Sequence, residues 1–92
     1  MSVLIRIPTP LRRMTNGEAK VEIDSSDVGD MVEKLDSSYP GFKARLVDEN
    51  GDLRYFVNIY LNGEDVRFLQ GLATATKSGD EVSIVPAVAG GA

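Results

Sequence analysis

The sequence contains no cysteine, no histidine and no tryptophan. Without cysteine there is no disulfide framework and no thiol nucleophile, and nothing points to an oxidising compartment. Without histidine, Ser-His-Asp and Cys-His catalysis and histidine pH switching are excluded, and the two absences together remove Cys/His zinc sites. The chain therefore lacks most of the side-chain groups that small enzymes use for catalysis.

The chain also lacks a long apolar run and an excess of basic residues. The opening stretch MSVLIRIPTP is too short for a signal peptide or a membrane span, so a cytoplasmic location is expected. Ten Lys and Arg against fourteen Asp and Glu give a net charge of -4. This balance disfavours nucleic acid and membranes as partners and favours a basic surface on another protein. A chain of 92 residues with 42% hydrophobic content predicts one folded domain.

Alternation of apolar and polar residues predicts the strands. The first, SVLIRIP, ends at two prolines, and a tight connection containing TNG leads to the second, EAKVEID. The strongest pattern is RYFVNIYLNG, which Asn62-Gly63 turns back into the short strand EDVRF, and EVSIVPA closes the chain's regular structure. The residues predicted to face the core are Val3, Ile5, Ile7, Ala19, Val21, Ile23, Tyr55, Val57, Ile59, Leu61, Val82 and Ile84.

A helical period lies between the second and third strands. Asp27 is the predicted N-cap, Pro40-Gly41 the stop, and one helical face carries Val28, Met31, Val32 and Leu35. The following FKARLVDENGD predicts a loop or irregular strand with a turn at Asn50-Gly51. This turn lacks the spacing of an EF-hand loop, so no metal site is predicted.

The order strand, strand, helix, strand, short strand, strand favours an α+β fold. One main helix covers only one face of a sheet, here a mixed sheet of four to five strands. This order matches the β-grasp arrangement, in which the first and last strands lie parallel at the sheet centre. We therefore expect a β-grasp domain over residues 1–87 and a flexible tail over residues 88–92.

The tail contains Gly90-Gly91, directly after the last predicted strand. Glycine is common at frayed chain ends, so the pair alone is weak support for a function. On this fold, however, a tail without side chains could thread into a narrow active site and present its carboxylate there. The protein would then be a substrate of other enzymes and not an enzyme itself.

Several stretches resemble the ubiquitin-like sulfur-carrier proteins, the family that includes the small subunit of molybdopterin synthase and the thiamine sulfur carrier. The similarity is carried by IRIPTPLRR, RYFVNIYLNGEDVRF and GLATATKSGDEVSIVPAVAGG, and it extends over residues 2 to 91. Within the family, FVNIY, EDVRF, GLATA and PAVAGG are most similar to carriers that feed cysteine biosynthesis.

The resemblance implies a cycle. An ATP-dependent activating enzyme of the ubiquitin-activating (E1-like) type adenylates the carboxylate of Gly91, and sulfur then replaces the adenylate to give a thiocarboxylate, while Gly90 provides clearance. The sulfur acceptor would be a pyridoxal-phosphate-dependent cysteine synthase or a homoserine sulfhydrylase, the latter leading to homocysteine and methionine. ATP, zinc and pyridoxal phosphate belong to these partners, and no cofactor is expected on the carrier.

Ala92 departs from the family pattern, because it stands one residue beyond the glycine pair. It would shift the terminal carboxylate by about 3.5 Å along an extended tail. The resemblance implies that a metalloprotease removes it, and the alternative is an extension without a role.

Arg6, Phe56, Asn58, Tyr60 and Val85 are predicted on the sheet face opposite the helix, where exposed aromatics often mark a protein interface. The alternative is that they only pack beneath loops. Three other functions stay open: a carrier for molybdopterin or thiamine synthesis, a ubiquitin-like protein modifier, and a β-grasp interaction module without tail chemistry.

Overall fold

The computed structural model describes residues 2–86. Five strands form one sheet: β1 (Val3–Arg6), β2 (Lys20–Ile23), β3 (Val57–Leu61), β4 (Glu64–Asp65) and β5 (Glu81–Pro86). Their order is β2-β1-β5-β3-β4, with β1 and β5 parallel and the other pairs antiparallel. The predicted mixed sheet with parallel first and last strands at its centre is therefore confirmed.

The main helix, α1 (Val28–Ser38), packs on one face of this sheet. All four residues of its predicted apolar face are buried. It begins where the sequence indicates, because an Asp27 carboxylate oxygen accepts a hydrogen bond from the Asp30 amide at 2.7 Å. The core lies between α1 and the inward side chains of β1, β3 and β5, among which Ile5, Ile59 and Val82 are fully buried.

The segment after α1 is predicted as a loop or irregular strand with a turn at Asn50-Gly51; the turn is present, but the prediction is wrong for the first five residues. The structure has a short helix, α2 (Phe42–Leu46), which packs against α1. Phe42 and Leu46, four residues apart, share one helical face and are both fully buried. One carboxylate oxygen of Asp36 accepts the amides of Gly41 and Lys43, each at 3.0 Å, which satisfies two donors at the start of α2.

The connection between β1 and β2 is longer than the predicted tight turn. It contains a 3₁₀ helix, Thr9–Thr15, with Pro10 in its first turn and the buried residues Leu11 and Thr15 facing inward. Proline is compatible with the first turn of a helix because the amide it lacks has no intrahelical partner there. The two prolines therefore follow the end of the strand, as predicted, and Pro10 also lies in the first turn of the 3₁₀ helix.

The third strand begins later than its apolar pattern suggests. Tyr55 was predicted to face the core, but β3 starts at Val57 and the Tyr55 side chain is 90% exposed. The alternation within β3 is as predicted, since Val57, Ile59 and Leu61 are buried. Ala19 likewise lies before β2 and is exposed.

Candidate functional site

The candidate docking face consists of Arg6, Phe56, Asn58, Tyr60 and Val85. Four of these residues lie in β1, β3 and β5 at positions that alternate with buried ones, so they share the side of the sheet opposite α1. The register brings them together, because Asn58 pairs with Val85, and Ser83 pairs with both Tyr60 and Arg6. Phe56 directly precedes β3 and is 37% exposed.

An ion pair occupies one side of the docking face. The Arg6 guanidinium donates to a carboxylate oxygen of Glu81 at 3.1 Å, from β1 to the neighbouring β5. Both side chains are about half exposed, at 49% and 53%. A pair this exposed contributes little to stability. Its charges therefore remain available to a partner.

A second polar contact crosses the other side of the face. The Arg67 guanidinium donates to the Asn58 side-chain oxygen at 2.7 Å and also to the backbone carbonyl of Arg54. Sequence analysis did not assign Arg67 to this face. Strand periodicity could not have found it, because the predicted strand EDVRF pairs with β3 only through Glu64 and Asp65, and a 3₁₀ helix, Val66–Phe68, then carries Arg67.

Exposed apolar side chains lie in or beside the same segments. Val85 is 43% exposed, and the Phe56 ring packs edge to face against Tyr55 with centroids 5.4 Å apart. Phe68 and Leu69, which follow Arg67, are 87% and 40% exposed. Sequence analysis missed Tyr55, Phe68 and Leu69, because an apolar residue is assigned to the core by default and only the tertiary structure shows that it is not covered.

A polar cluster holds the N-terminal end of β5. The buried Asp80 carboxylate accepts hydrogen bonds from the Asn62 side-chain amide at 3.0 Å and the Lys77 backbone amide at 2.9 Å, and Lys77 Nζ lies 3.2 Å away. The Asn62 bond foremost, then those from Lys77, hold the pKa of Asp80 below its ordinary value, although burial raises it. The cluster anchors the β3–β4 turn to the start of β5.

The docking face leads to the tail. Val85 is followed by Pro86, the last residue of β5, which pairs with Val57. Gly90, Gly91 and Ala92, the predicted tail residues, lie outside the described residues, as does the predicted boundary after residue 87.

Within residues 2–86 the docking face presents apolar and charged side chains to solvent. No cluster of three metal-ligating side chains is found among the described residues. No helix in this part of the chain is long and apolar enough to cross a membrane.

Comparison with known proteins identifies the relatives of this chain. The sequence matches the ThiS family over residues 5–91. It is 48% identical to the sulfur carrier protein CysO of Mycobacterium tuberculosis, over 99% of this chain and 100% of that protein. It is 44% identical to small archaeal modifier protein 3 of Haloferax volcanii, over 74% of this chain and 73% of that protein.

The fold has a similarly clear relative among solved structures. A chain of the Amycolatopsis orientalis BexX/CysO complex superposes with a TM-score of 0.90 at 45% identity, covering 94% of this chain and 96% of that one. The ubiquitin-like β-grasp fold predicted from the order of elements is thereby confirmed.

Proposed function

The chain belongs to the ThiS family, and on that premise we propose that its glycine Gly91 carries sulfur as a thiocarboxylate for cysteine biosynthesis. One observation carries the proposal. The family match runs through both glycines and ends at Gly91, in a chain similar over nearly its full length to a protein named as a sulfur carrier. Its similar proteins are named as carriers and modifiers rather than enzymes, and in this proposal the chain is a co-substrate of its partner enzymes.

The proposed chemistry requires no catalytic side chain on the carrier. A carboxylate is a poor acyl donor, so an oxygen of the Gly91 carboxylate first attacks the α-phosphate of ATP on an activating enzyme, and pyrophosphate leaves. A sulfide sulfur then attacks the acyl carbon of this mixed anhydride, and AMP leaves with the carbon–oxygen bond electrons. If the donor is a persulfide, the first product is an acyl persulfide, and a thiol of the partner must reduce its sulfur–sulfur bond to release the thiocarboxylate. The product retains sulfur in place of one carboxylate oxygen. ATP and any zinc are held by the partner, as is the pyridoxal phosphate of a cysteine synthase or homoserine sulfhydrylase.

The docking face suits partners that must hold the tail. Gly91 lies five positions beyond Pro86, so the reacting carbon lies within about 18 Å of the end of β5 when the chain is fully extended. A partner that binds Gly91 in its active site must therefore also approach the end of β5, where Val85 and Phe56 are exposed. Apolar and aromatic groups rimmed by the Arg6–Glu81 ion pair are typical of a protein interface.

Ala92 must be removed before activation in this scheme. With alanine in place, the terminal carboxylate lies about 3.5 Å farther along the tail and the terminal residue carries a methyl group. We propose that a metalloprotease cleaves the Gly91–Ala92 bond. Its product is the carboxylate that the activating enzyme accepts.

The test compares two purified chains, one ending at Gly91 and one ending at Ala92. Each is incubated with an activating enzyme of this family, ATP and sulfide, and intact-mass spectrometry measures replacement of oxygen by sulfur. Only the shorter chain should be converted, and a metalloprotease should rescue the longer one unless a chelator is present. Gly91→Ala in the shorter chain should prevent conversion, because a Cβ at the reacting residue restricts the backbone and crowds the channel.

The outcomes separate the two parts of the scheme. If the longer chain gains sulfur on Ala92 as readily as the shorter one does on Gly91, the trimming step is wrong and the carrier role stands. If neither chain gains sulfur with an enzyme that converts another family member, the carrier role is wrong.

A matched pair of variants tests whether partners bind at the docking face. Val85→Asp adds a negative charge to the docking face, and Ser37→Asp adds the same charge to the exposed side of α1. Val85→Asp should raise the KM for the carrier in adenylation at least about tenfold, as removal of a central apolar contact does at other interfaces. Ser37→Asp should leave this KM unchanged. Equal effects of the two variants would show that this face is not used.

A second function is favoured by the similarity to small archaeal modifier protein 3. A protein modifier would use the same activated Gly91 to form isopeptide bonds with lysines of target proteins. Immunoblots of cell extract distinguish the two, because a ladder of heavier conjugates favours modification, whereas a single low-mass band with a sulfur-substituted terminus favours the carrier. A module without tail chemistry would keep its activity after deletion of Gly90 to Ala92.

A further inference from the structure

The chain contains three Asn-Gly pairs: Asn16-Gly17, Asn50-Gly51 and Asn62-Gly63. At such a pair the backbone nitrogen of glycine can attack the side-chain carbonyl of asparagine, because glycine has no Cβ to hinder the approach. All three asparagines are exposed. Sequence and exposure together therefore give the three pairs the same reactivity.

Hydrogen bonding distinguishes one pair from the other two. The Asn62 side-chain nitrogen donates to the buried Asp80 carboxylate at 3.0 Å, and its oxygen accepts the Glu81 amide at 2.9 Å. The Asn62 backbone amide also donates to the Glu81 carbonyl at 2.8 Å. Both polar atoms of the Asn62 side chain are thus committed to β5 and its entry, so the side chain cannot turn towards the nitrogen of Gly63 while these bonds last.

The other two side chains have no such attachment. Within residues 2–86 neither the Asn16 nor the Asn50 side chain makes a hydrogen bond in the structure. The glycine amides that follow each donate one backbone bond, Gly17 to Arg12 at 2.7 Å and Gly51 to Asp48 at 3.0 Å. Only that single bond in an exposed turn has to open before the glycine nitrogen is free to react.

We propose that Asn16 and Asn50 are sites of spontaneous deamidation through a succinimide, and that the Asn62 cluster protects the third pair. The glycine nitrogen loses its proton to solvent and bonds to the asparagine Cγ, and the side-chain nitrogen leaves as ammonia. Water then opens the five-membered imide at one of its two carbonyls. The products are aspartate, or isoaspartate with the backbone rerouted through the side chain, each carrying one new negative charge.

Protection at Asn62 matters because the reaction there would destroy the cluster. The product carboxylate would replace the amide that donates to Asp80, leaving two carboxylates face to face. The turn between β3 and β4 would then be repelled from the start of β5. This inference concerns residues far along the chain from Gly91, and it stands whether or not the tail carries sulfur.

The experiment ages the full chain at mildly alkaline pH and maps the three peptides by mass spectrometry, with isoaspartyl methyltransferase labelling to count isoaspartate. A parallel sample is aged in concentrated urea, where intrinsic reactivity alone acts. In the native sample Asn62 should react at least about tenfold more slowly than Asn16 and Asn50, because its two side-chain hydrogen bonds must open first. In urea the three rates should agree within a few-fold.

Each outcome supports or overturns the inference. Comparable native rates at all three sites would show that the Asn62 bonds do not protect. If Asn62 also reacted slowly in urea, its protection would come from the local sequence and not from the fold. If Asn16 and Asn50 did not react in the native sample, they would not be deamidation sites. In Asp80→Ala the native rate at Asn62 should rise towards the urea rate, whereas Lys77→Ala, which keeps the Asn62–Asp80 bond, should change it little.

Discussion

Two valines of β5 allow the face assignment to be tested with one type of substitution. Val82 and Val85 lie on opposite sides of the same strand. Val82 is fully buried between Ile5 of β1 and Leu61 of β3, its register partners, whereas Val85 is 43% exposed opposite Asn58. Replacing each with alanine removes the same two methyl groups and makes a similar change in strand propensity, so the difference between the variants measures burial.

The expected magnitudes follow from the transfer and cavity terms. Val82→Ala should lower the free energy of unfolding by about 1.5 to 3 kcal/mol, roughly 0.8 kcal/mol for each buried carbon removed plus the cost of the space left between strands. Val85→Ala should cost no more than about 0.5 to 1 kcal/mol, because water and neighbouring side chains refill its surroundings. For a domain of this size, the loss expected for Val82→Ala corresponds to a melting temperature lower by about 6 to 24 °C.

Urea unfolding followed by far-ultraviolet circular dichroism measures both variants, with calorimetry as a second probe. The slope of unfolding free energy against urea should stay constant, so that a change in midpoint reports stability alone. Equal losses for the two variants would refute the face assignment, and a larger loss for Val85→Ala would invert it. Val85→Ala should also weaken adenylation while leaving stability nearly intact, which separates docking from folding.

Two further predictions concern the ends of β5. Because the pKa of Asp80 is lowered in the folded state, its carboxylate should stabilise the fold above the unfolded pKa of about 3.9, and this contribution should be lost as pH falls through the folded value. Asp80→Asn should therefore destabilise the protein near neutral pH and lose less stability on acidification than the parent in urea titrations; parallel pH profiles would contradict this. Truncation after Val88 should leave the thermal midpoint nearly unchanged, because the alternating apolar pattern ends with β5. A large drop on truncation would show that the removed residues pack on the domain, against the predicted boundary.

Local periodicity alone determined the sheet and the main helix. The apolar alternation of β1, β3 and β5 and the helical spacing of α1 reappear in the structure because each pattern fits only one backbone geometry with a single buried face. The order of these elements matched the β-grasp arrangement, since one main helix covers only one face of a sheet, and the structure confirms the parallel pairing of β1 and β5.

The tertiary structure decided what short segments become. FKARL has too few residues for a period to be recognised, and it is a helix because Phe42 and Leu46 fill the space beside α1. RYF continues the apolar pattern of β3 in sequence, yet Tyr55 lies outside the strand and in solvent. Whether an apolar residue is covered depends on what packs over it, and that information is not local.

For the candidate site, too, some features follow from the local sequence and others only from the tertiary structure. The sequence alone identified the glycine pair and the residues alternating onto the docking face, because a tail and a strand face are both local patterns. Only the folded chain brought Arg67 to Asn58 and Asn62 to Asp80, across nine and eighteen positions of sequence. Hydrogen bonds between distant residues depend on strand order and register, which are fixed by the packing of the whole core.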